Sequence, residues 1–200
     1  KSVITRAMIA ANPQLRLIRQ AAQMLRNGGV IAYPTDSCYA LGCHIGDKDA
    51  LERLRRIRGA DRQHHFTLVC RDLAEIARFA RVETWQFRLL KAAPPGAFTF
   101  LLPATRETPR RLQHPQRRTI GLRVPDHRTA QALLAESGQP LLATTLIAPG
   151  ETEPMNEPQA IRERFQRTLQ AVVDAGACPM QPTTVIDLTG DEPLLVRHGR

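Results

Sequence analysis

Residues 28–42 read G-G-V-I-A-Y-P-T-D-S-C-Y-A-L-G, and the interpretation of the chain turns on them. After the two glycines, Val30, Ile31, Ala32 and Tyr33 make an apolar run of the β-branched and aromatic kind that favours a strand. Pro34 breaks that run by fixing φ and removing a ladder donor. Thr35, Asp36 and Ser37 follow with three short oxygen-bearing side chains, and a second apolar run closes on Gly42. A strand end that offers hydroxyls beside free backbone N–H groups is a natural place to hold a polar ligand. The same residues also make an ordinary capped turn, and the pattern supports both readings.

Upstream, Leu15, Ile18, Ala22 and Leu25 recur at helical spacing over residues 14–27, and Gly28-Gly29 ends that helix. Residues 1–12, with Val3, Ile4 and Ile9, suggest a short strand at a sheet edge. Downstream, Asp47-Lys48-Asp49 supplies an N-cap for a helix through Leu51, Leu54 and Ile57 whose far end, R-L-R-R-I-R-G, is densely basic. Cations there complement the helix dipole, so part of the cluster needs no ligand. Residues 66–69 read as a strand; Asp72 opens a helix through Ile76 and Phe79, and Thr84 caps one through Phe87, Leu89 and Leu90.

A turn at Pro94-Pro95-Gly96 leads into a strand at 98–102, and 109–112 form one helical turn before a polar loop at 114–118. A strand at 120–125 precedes a helix opened by Asp126, and another strand spans 141–145. Residues 148–158, rich in Pro and Glu, read as a mobile loop before a helix at 159–171. Residues 183–188 and 194–197 read as a terminal pair of strands turning at Gly190-Asp191. Strands and helices interleave with several strand–turn–strand connections. The expectation is one α/β domain over residues 1–200, built on a mixed rather than purely parallel sheet.

The net charge is +9, and apart from Lys1, Lys48 and Lys91 its cations are arginines. That balance favours anionic partners such as nucleotide phosphates or RNA, although arginines spread singly along helices are ordinarily a solvated face. Cys38, Cys43, Cys70 and Cys178 form no C-x-x-C pair and are expected to be free thiols in a reducing cytosol, with no metal site. No apolar run approaches the roughly twenty residues needed to span a membrane, and no signal peptide is evident. A cytoplasmic location is therefore expected.

The G-G-V-I-A-Y-P-T-D-S-C-Y-A-L-G stretch resembles the signature of the YrdC/YciO family, which usually reads close to G-G-x-x-x-x-P-T-E-T-x-Y-G-L-G. The resemblance continues in family order through R-I-R-G, P-G-A-F-T-F-L-L, I-G-L-R-V-P-D-H and T-T-V-I-D, covering nearly the whole chain. The wording H-H-F-T-L-V-C-R-D-L is closest to the YciO branch. The resemblance implies a threonylcarbamoyl-AMP synthase fold: a twisted open sheet flanked by helices, with a basic concave face taking ATP, L-threonine and bicarbonate. It implies Mg²⁺ with the ATP, no tightly bound protein-ligated metal, and double-stranded RNA as a further partner.

Adenylate formation needs a neutralised triphosphate and an acceptor carboxylate held in line with the α-phosphorus; arginines, hydroxyls and Mg²⁺ suffice. No P-loop is present, so several strand ends must build the cradle. By the resemblance, Thr35 orients threonine, and its replacement by Ala is expected to leave the fold intact, a hydroxyl at a strand end contributing little to stability. Tyr39 matches the signature Tyr, with plain core packing as the alternative. Asp36 and Ser37 stand for the usual Glu and Thr. Arg58 takes the place of the Lys in the usual K-G-R, Ala60 that of its Arg, and Arg62 is the candidate to supply the missing charge.

His64 and His65 replace a common Asn-Pro and are candidates for phosphate or RNA contacts. The usual S-x-N aligns with Thr145-Leu146-Ile147, which keeps a hydroxyl and loses the amide; Gly150 keeps the register. Arg123, Thr183, Thr184 and Arg197 match family cavity residues, with an exposed strand charge as the alternative for Arg123 and a structural ion pair for Asp187. Thr35, Arg58, Arg123, Thr145 and Thr184 are expected around one concavity. Two functions follow. One is a synthase supporting tRNA threonylcarbamoyladenosine formation. The other is a duplex-RNA-binding module with weak nucleotide chemistry, using Arg55, Arg56 and Arg58.

Overall fold

Ile18, Ala21, Ala22 and Leu25 share one side of a helical period, and they are the buried residues of α1 (Leu15–Arg26). The structure is a computed structural model that describes residues 14–61, 63–93 and 95–199; the expected strand in residues 1–12, and Arg62, lie outside them. Strands β1 (Ile31–Pro34) and β2 (Tyr39–His44) form an antiparallel hairpin with Pro34 still in register against Tyr39. Asp47 caps α2 (Lys48–Arg58) by accepting from the Ala50 N–H at 2.8 Å, and Gly59, at φ 65°, ends it. Next come β3 (Thr67–Val69) and α3 (Leu73–Phe79), whose cap Asp72 accepts from the Glu75 N–H.

Helix α4 (Thr84–Ala92) is capped by Glu83 rather than Thr84, because Gln86 reaches back to accept the Glu83 N–H at 2.7 Å and closes a reciprocal capping box. Strand β4 (Phe98–Pro103), a 3-10 turn at Arg110–Leu112 and β5 (Thr119–Arg123) lead to α5 (Arg128–Ser137), which takes His127 rather than Asp126 as its N-cap. Strand β6 (Leu141–Thr145) follows. The segment read as a mobile loop is tied down: the Met155 N–H donates to Leu146 O at 2.9 Å, and Ile147 bridges to Pro154.

Helix α6 (Pro158–Phe165) stops short of the expected length, and Ala171–Val172 form β7 instead, parallel to β1. Gln170 accounts for the change. Its side chain accepts the Val30 N–H at 2.7 Å and its own N–H donates to Val30 O at 3.0 Å, drawing the chain into the sheet. Strands β8 (Thr184–Asp187) and β9 (Leu194–Arg197) pair antiparallel at the end.

The nine strands make one mixed sheet in the order β7-β1-β2-β6-β3-β5-β4-β8-β9. Side chains alternate between its faces. Leu41, Leu68, Phe100, Leu102, Ile120, Leu122 and Leu142 point to one face and form the larger core with residues of α2, α3, α4 and α6. Ile31, Tyr33, Ala40, Val69, Leu141 and Ala143 point to the other, under α1 and α5. Those two helices cover the β1–β2 end of that face, reaching as far as Val69 at the end of β3. Over β3, β5, β4 and β8 the alternate side chains line a cavity. The described residues thus form one mixed α/β domain, and no helix among them is long and apolar enough to cross a membrane.

Candidate functional site

The floor of the cavity is the polar half of strands whose other half is core. Thr67 alternates with Phe66 and Leu68, Thr99 with Phe98 and Phe100, and Thr119 and Gly121 with Ile120 and Leu122. Val185 and Asp187 continue the floor on β8. The volume is about 560 Å³, within the range of small-ligand sites. Among the described residues, three arginines (Arg58, Arg117 and Arg197) and three histidines (His64, His65 and His114) line it, against the single carboxylate of Asp187. Electrostatically it is a site for anions.

Arg58, Arg197 and His114 are each held by named contacts. Arg58, at the last turn of α2, donates Nε–H to Thr145 O at 3.1 Å, which leaves its two terminal nitrogens without a hydrogen bond among the described residues. Burial pulls its pKa below the usual arginine value, and no carboxylate among the described residues pairs with it to offset the cost. Arg197 donates to Thr183 O and Oγ1, and Thr183 Oγ1 lies 2.9 Å from Thr99 Oγ1. His114 Nδ1 accepts the N–H groups of Gln116 and Arg117, and its ring stacks on His65 at 5.2 Å. That turn ends at Arg118, which at φ 55° is the only non-glycine in the left-handed region among the described residues.

The hairpin tip lies behind the cavity wall. Thr35 Oγ1 donates to Cys38 O at 2.7 Å and accepts the N–H groups of Ser37 and Cys38, both at 3.2 Å. This hydroxyl closes the turn. Arg123, 7% exposed, spans the same turn, donating to Ser37 Oγ at 2.8 Å, to Gly96 O at 3.2 Å and to the carboxylate of Asp36. It is therefore a buried ion-paired group and not an exposed strand charge. Tyr39 is fully buried; its hydroxyl donates to Gly176 O at 2.9 Å and fastens the 174–176 segment over the tip. The Cys38 thiol reaches Thr145 Oγ1 at 3.8 Å and so joins turn to cavity wall. All four cysteines are free and buried, and burial pushes the Cys43 and Cys178 thiols up to about 12.

Of the residues expected around one concavity, Arg58 and Thr145 line it, with Thr183 and Arg197. Thr35 sits in the turn that reaches Thr145 through Cys38, and Arg123 reaches into that turn from the end of β5. Thr184 faces away: it follows Thr183 on β8, and its Oγ1 accepts the Gly199 N–H at 3.1 Å. Asp187 pairs with no arginine; its Oδ1 accepts from the N–H and hydroxyl of Thr189. The basic end of α2 does not form one surface. The Arg55 guanidinium lies over Phe66 at 4.8 Å and donates to Asp61 O, while Arg56 is exposed. Thr67, Thr99, Thr119, His114 and Arg117 escaped the sequence reading. A lone Thr between two phenylalanines was the available signal, an odd polar position in an otherwise buried strand.

Among the described residues, no group of three or more His, Cys, Asp or Glu is placed to hold a metal ion. Asp187 Oδ2 is the carboxylate oxygen left for a cation at the cavity. One such oxygen fits a Mg²⁺ that arrives on substrate phosphates rather than one held by protein alone.

Comparison with known proteins agrees with this architecture. The family model described as Sua5/YciO/YrdC, "Telomere recombination", matches residues 23–199. YciO of Escherichia coli K12 is 50% identical over 188 residues, covering 94% of this chain and 91% of that one. Its crystal structure superposes with a TM-score of 0.93 over 98% of this chain and 96% of that one. A threonylcarbamoyl-AMP synthase of Chromobacterium violaceum is 32% identical over 177 residues, 88% of this chain and 91% of that one. A crystal structure of P. abyssi Sua5 complexed with L-threonine aligns with a TM-score of 0.88 at 26% identity, over 98% of this chain and 58% of that one. Since the family model spans residues 23–199 and the identity to YciO runs through most of both chains, this protein is a member of the Sua5/YciO/YrdC family.

Proposed function

We propose that the chain is an adenylate-forming enzyme of the threonylcarbamoyl-AMP synthase type. It takes ATP, L-threonine and bicarbonate and supports threonylcarbamoyladenosine formation in tRNA. The observation that carries this reading is Arg58: a half-buried guanidinium, anchored through Nε, with two uncommitted nitrogens beside a cavity large enough for a nucleotide. A guanidinium so placed gains most from a phosphate, which supplies the charge compensation its burial lacks. Support also comes from relatives named as threonylcarbamoyl-AMP synthases and from the Sua5 structure that holds L-threonine.

In this reading Arg58 and Arg197 hold the nucleotide phosphates, the floor threonines orient their oxygens, and Thr145 receives the carbamate end of threonine in front of the hairpin tip. Asp187 would be the residue to hold a Mg²⁺ carried in with ATP, and that ion would supply charge neutralisation for the pyrophosphate. The protein's work is positioning and charge stabilisation. Ile147 lines the cavity where the wider family carries an amide, so the nucleotide is held chiefly by its phosphates.

A second reading rests on residues 106–118, where Arg106, Arg110, Arg111, Arg117 and Arg118 are all exposed and Arg117 lines the cavity, giving that segment a basic rim. Such a basic rim suits the phosphates of duplex RNA, a role first assigned to Arg55, Arg56 and Arg58. One experiment separates the two. Purified protein is incubated with ATP, L-threonine and radiolabelled bicarbonate, and the labelled carbamoyl-adenylate is measured. Arg58→Gln is expected to weaken ATP binding roughly tenfold to a hundredfold, the loss of one or two charge-assisted bonds. Wild-type protein that makes no adenylate yet binds duplex RNA with steep salt dependence would replace the synthase reading with the RNA one.

A further inference from the structure

We propose that His64 is the proton acceptor of this cavity, taking the proton that the ammonium of threonine must lose before its nitrogen can bond to the carbon of bicarbonate. The inference rests on the synthase reading above and adds a catalytic residue to it. Of the three substrates, only threonine must lose a proton for its bond to form. The ammonium gives up one proton; the free amine and bicarbonate then form a carbamate and release water. The carbamate oxygen attacks the α-phosphorus, and the bond to pyrophosphate breaks. The first step needs a base, and the cavity has few.

Arginines cannot take a proton near neutral pH, and threonine hydroxyls are far too weak as bases. Asp187 has Oδ1 committed to Thr189, and its Oδ2 is the oxygen assigned above to the cation that comes with ATP. His114 spends Nδ1 on two backbone N–H groups, and His65 is stacked on it. His64 is left, and it is held in place. Its Nε2 lies 2.8 Å from Thr144 Oγ1, and its ring meets Phe66 edge-on at 5.1 Å. Phe66 in turn lies beneath Arg55. With the Nε2 proton donated to Thr144, Nδ1 carries the free lone pair.

Thr144 and Thr145 are consecutive at the end of β6, so the hydroxyl that orients His64 is next to the carbonyl that anchors Arg58. An anion on Arg58 and a base at His64 are thereby delivered to one corner. Among the described residues, the groups that face the imidazole are Arg58 and Arg55 from α2, Asp61 and His65 from the loop, and Thr144 from β6. Burial, followed by Arg58 and Arg55, lowers its pKa below the usual 6.5, so the ring is neutral at physiological pH.

The test compares wild type, His64→Asn and Thr144→Val in the adenylate assay across pH, with long-range ¹⁵N–¹H NMR of the histidine rings. Wild type should show an acidic limb below about pH 6.5. His64→Asn should lose that limb and lower kcat on the order of a hundredfold, with the KM for ATP little changed, and added imidazole should restore part of the rate. NMR should find the proton of His64 on Nε2, and Thr144→Val should redistribute it. Adenylate formation with an unchanged pH profile in His64→Asn, or a ring protonated on Nδ1 in wild type, overturns the role of His64 alone. Absence of adenylate in wild type overturns the synthase reading and this role with it.

Discussion

Thr35 looks, in sequence, like a hydroxyl offered to a ligand at a strand end. In the fold it is 2% exposed, and its oxygen closes the hairpin tip by one donated and two accepted bonds. The expectation that Thr35→Ala leaves the fold untouched therefore has to be revised. Removing the hydroxyl strands the N–H groups of Ser37 and Cys38 in a buried turn, and Thr35→Val should cost roughly 1–3 kcal/mol, measured by denaturant unfolding. Thr35→Ser, which keeps the oxygen, should recover most of that; equal stability of the two variants would show that the turn does not depend on it. The burial was not legible locally. It comes from the 174–178 segment, which reaches the tip through Tyr39 and lays the Cys178 thiol against the Thr35 backbone. The Thr183-Thr184 pair had the opposite fate: strand alternation, which is readable, already said that only one of the two can face the cavity.

At the level of elements, what was local was readable. Asp47 and Asp72 cap their helices as composition suggested, and the hairpin falls where Pro-Thr-Asp-Ser breaks two apolar runs. What failed depended on partners elsewhere. Strand β7 has only two residues and exists because Gln170 bonds the backbone of Val30. The hairpin itself carries a close approach that its sequence hints at through Gly42. A Cβ placed there would stand 2.7 Å from Cε1 of Tyr33, a ring buried under α1 and α5. Gly42→Ala should consequently destabilise the protein by about 1–3 kcal/mol, read as a lowered unfolding midpoint. A variant as stable as wild type would mean that the Tyr33 ring has room to move.

Across the whole molecule, the mixed sheet and the basic character of the concavity could be anticipated, but its position could not. Which half of a face stays open depends on where α1 and α5 settle, and their docking on each other is a contact between residues more than a hundred positions apart. Burial also lowers the pKa of His44, His64 and His127 below the usual 6.5. An unfolded chain then binds more protons than the native one just below that value, so this stability is fully present above about pH 6.5 and drains away as pH falls. The melting temperature should be lower at about pH 5.5 than at about pH 7.5. His127→Gln should flatten the dependence, since its buried Nδ1 has no partner among the described residues. A melting temperature that rises on acidification would contradict the assignment.

The strands under the cavity carry two messages in alternate letters. Phe98, Phe100, Ile120 and Leu122 are read by the core, while Thr99, Thr119 and Gly121 are read by whatever enters from the other side. Because adjacent letters answer to different readers, the floor can be rewritten while the instructions for folding stay intact. Changes confined to Thr67, Thr99 and Thr119 would reach the ligand before they reach the core, whereas Arg123, on the same side of β5, is bound into the hairpin tip.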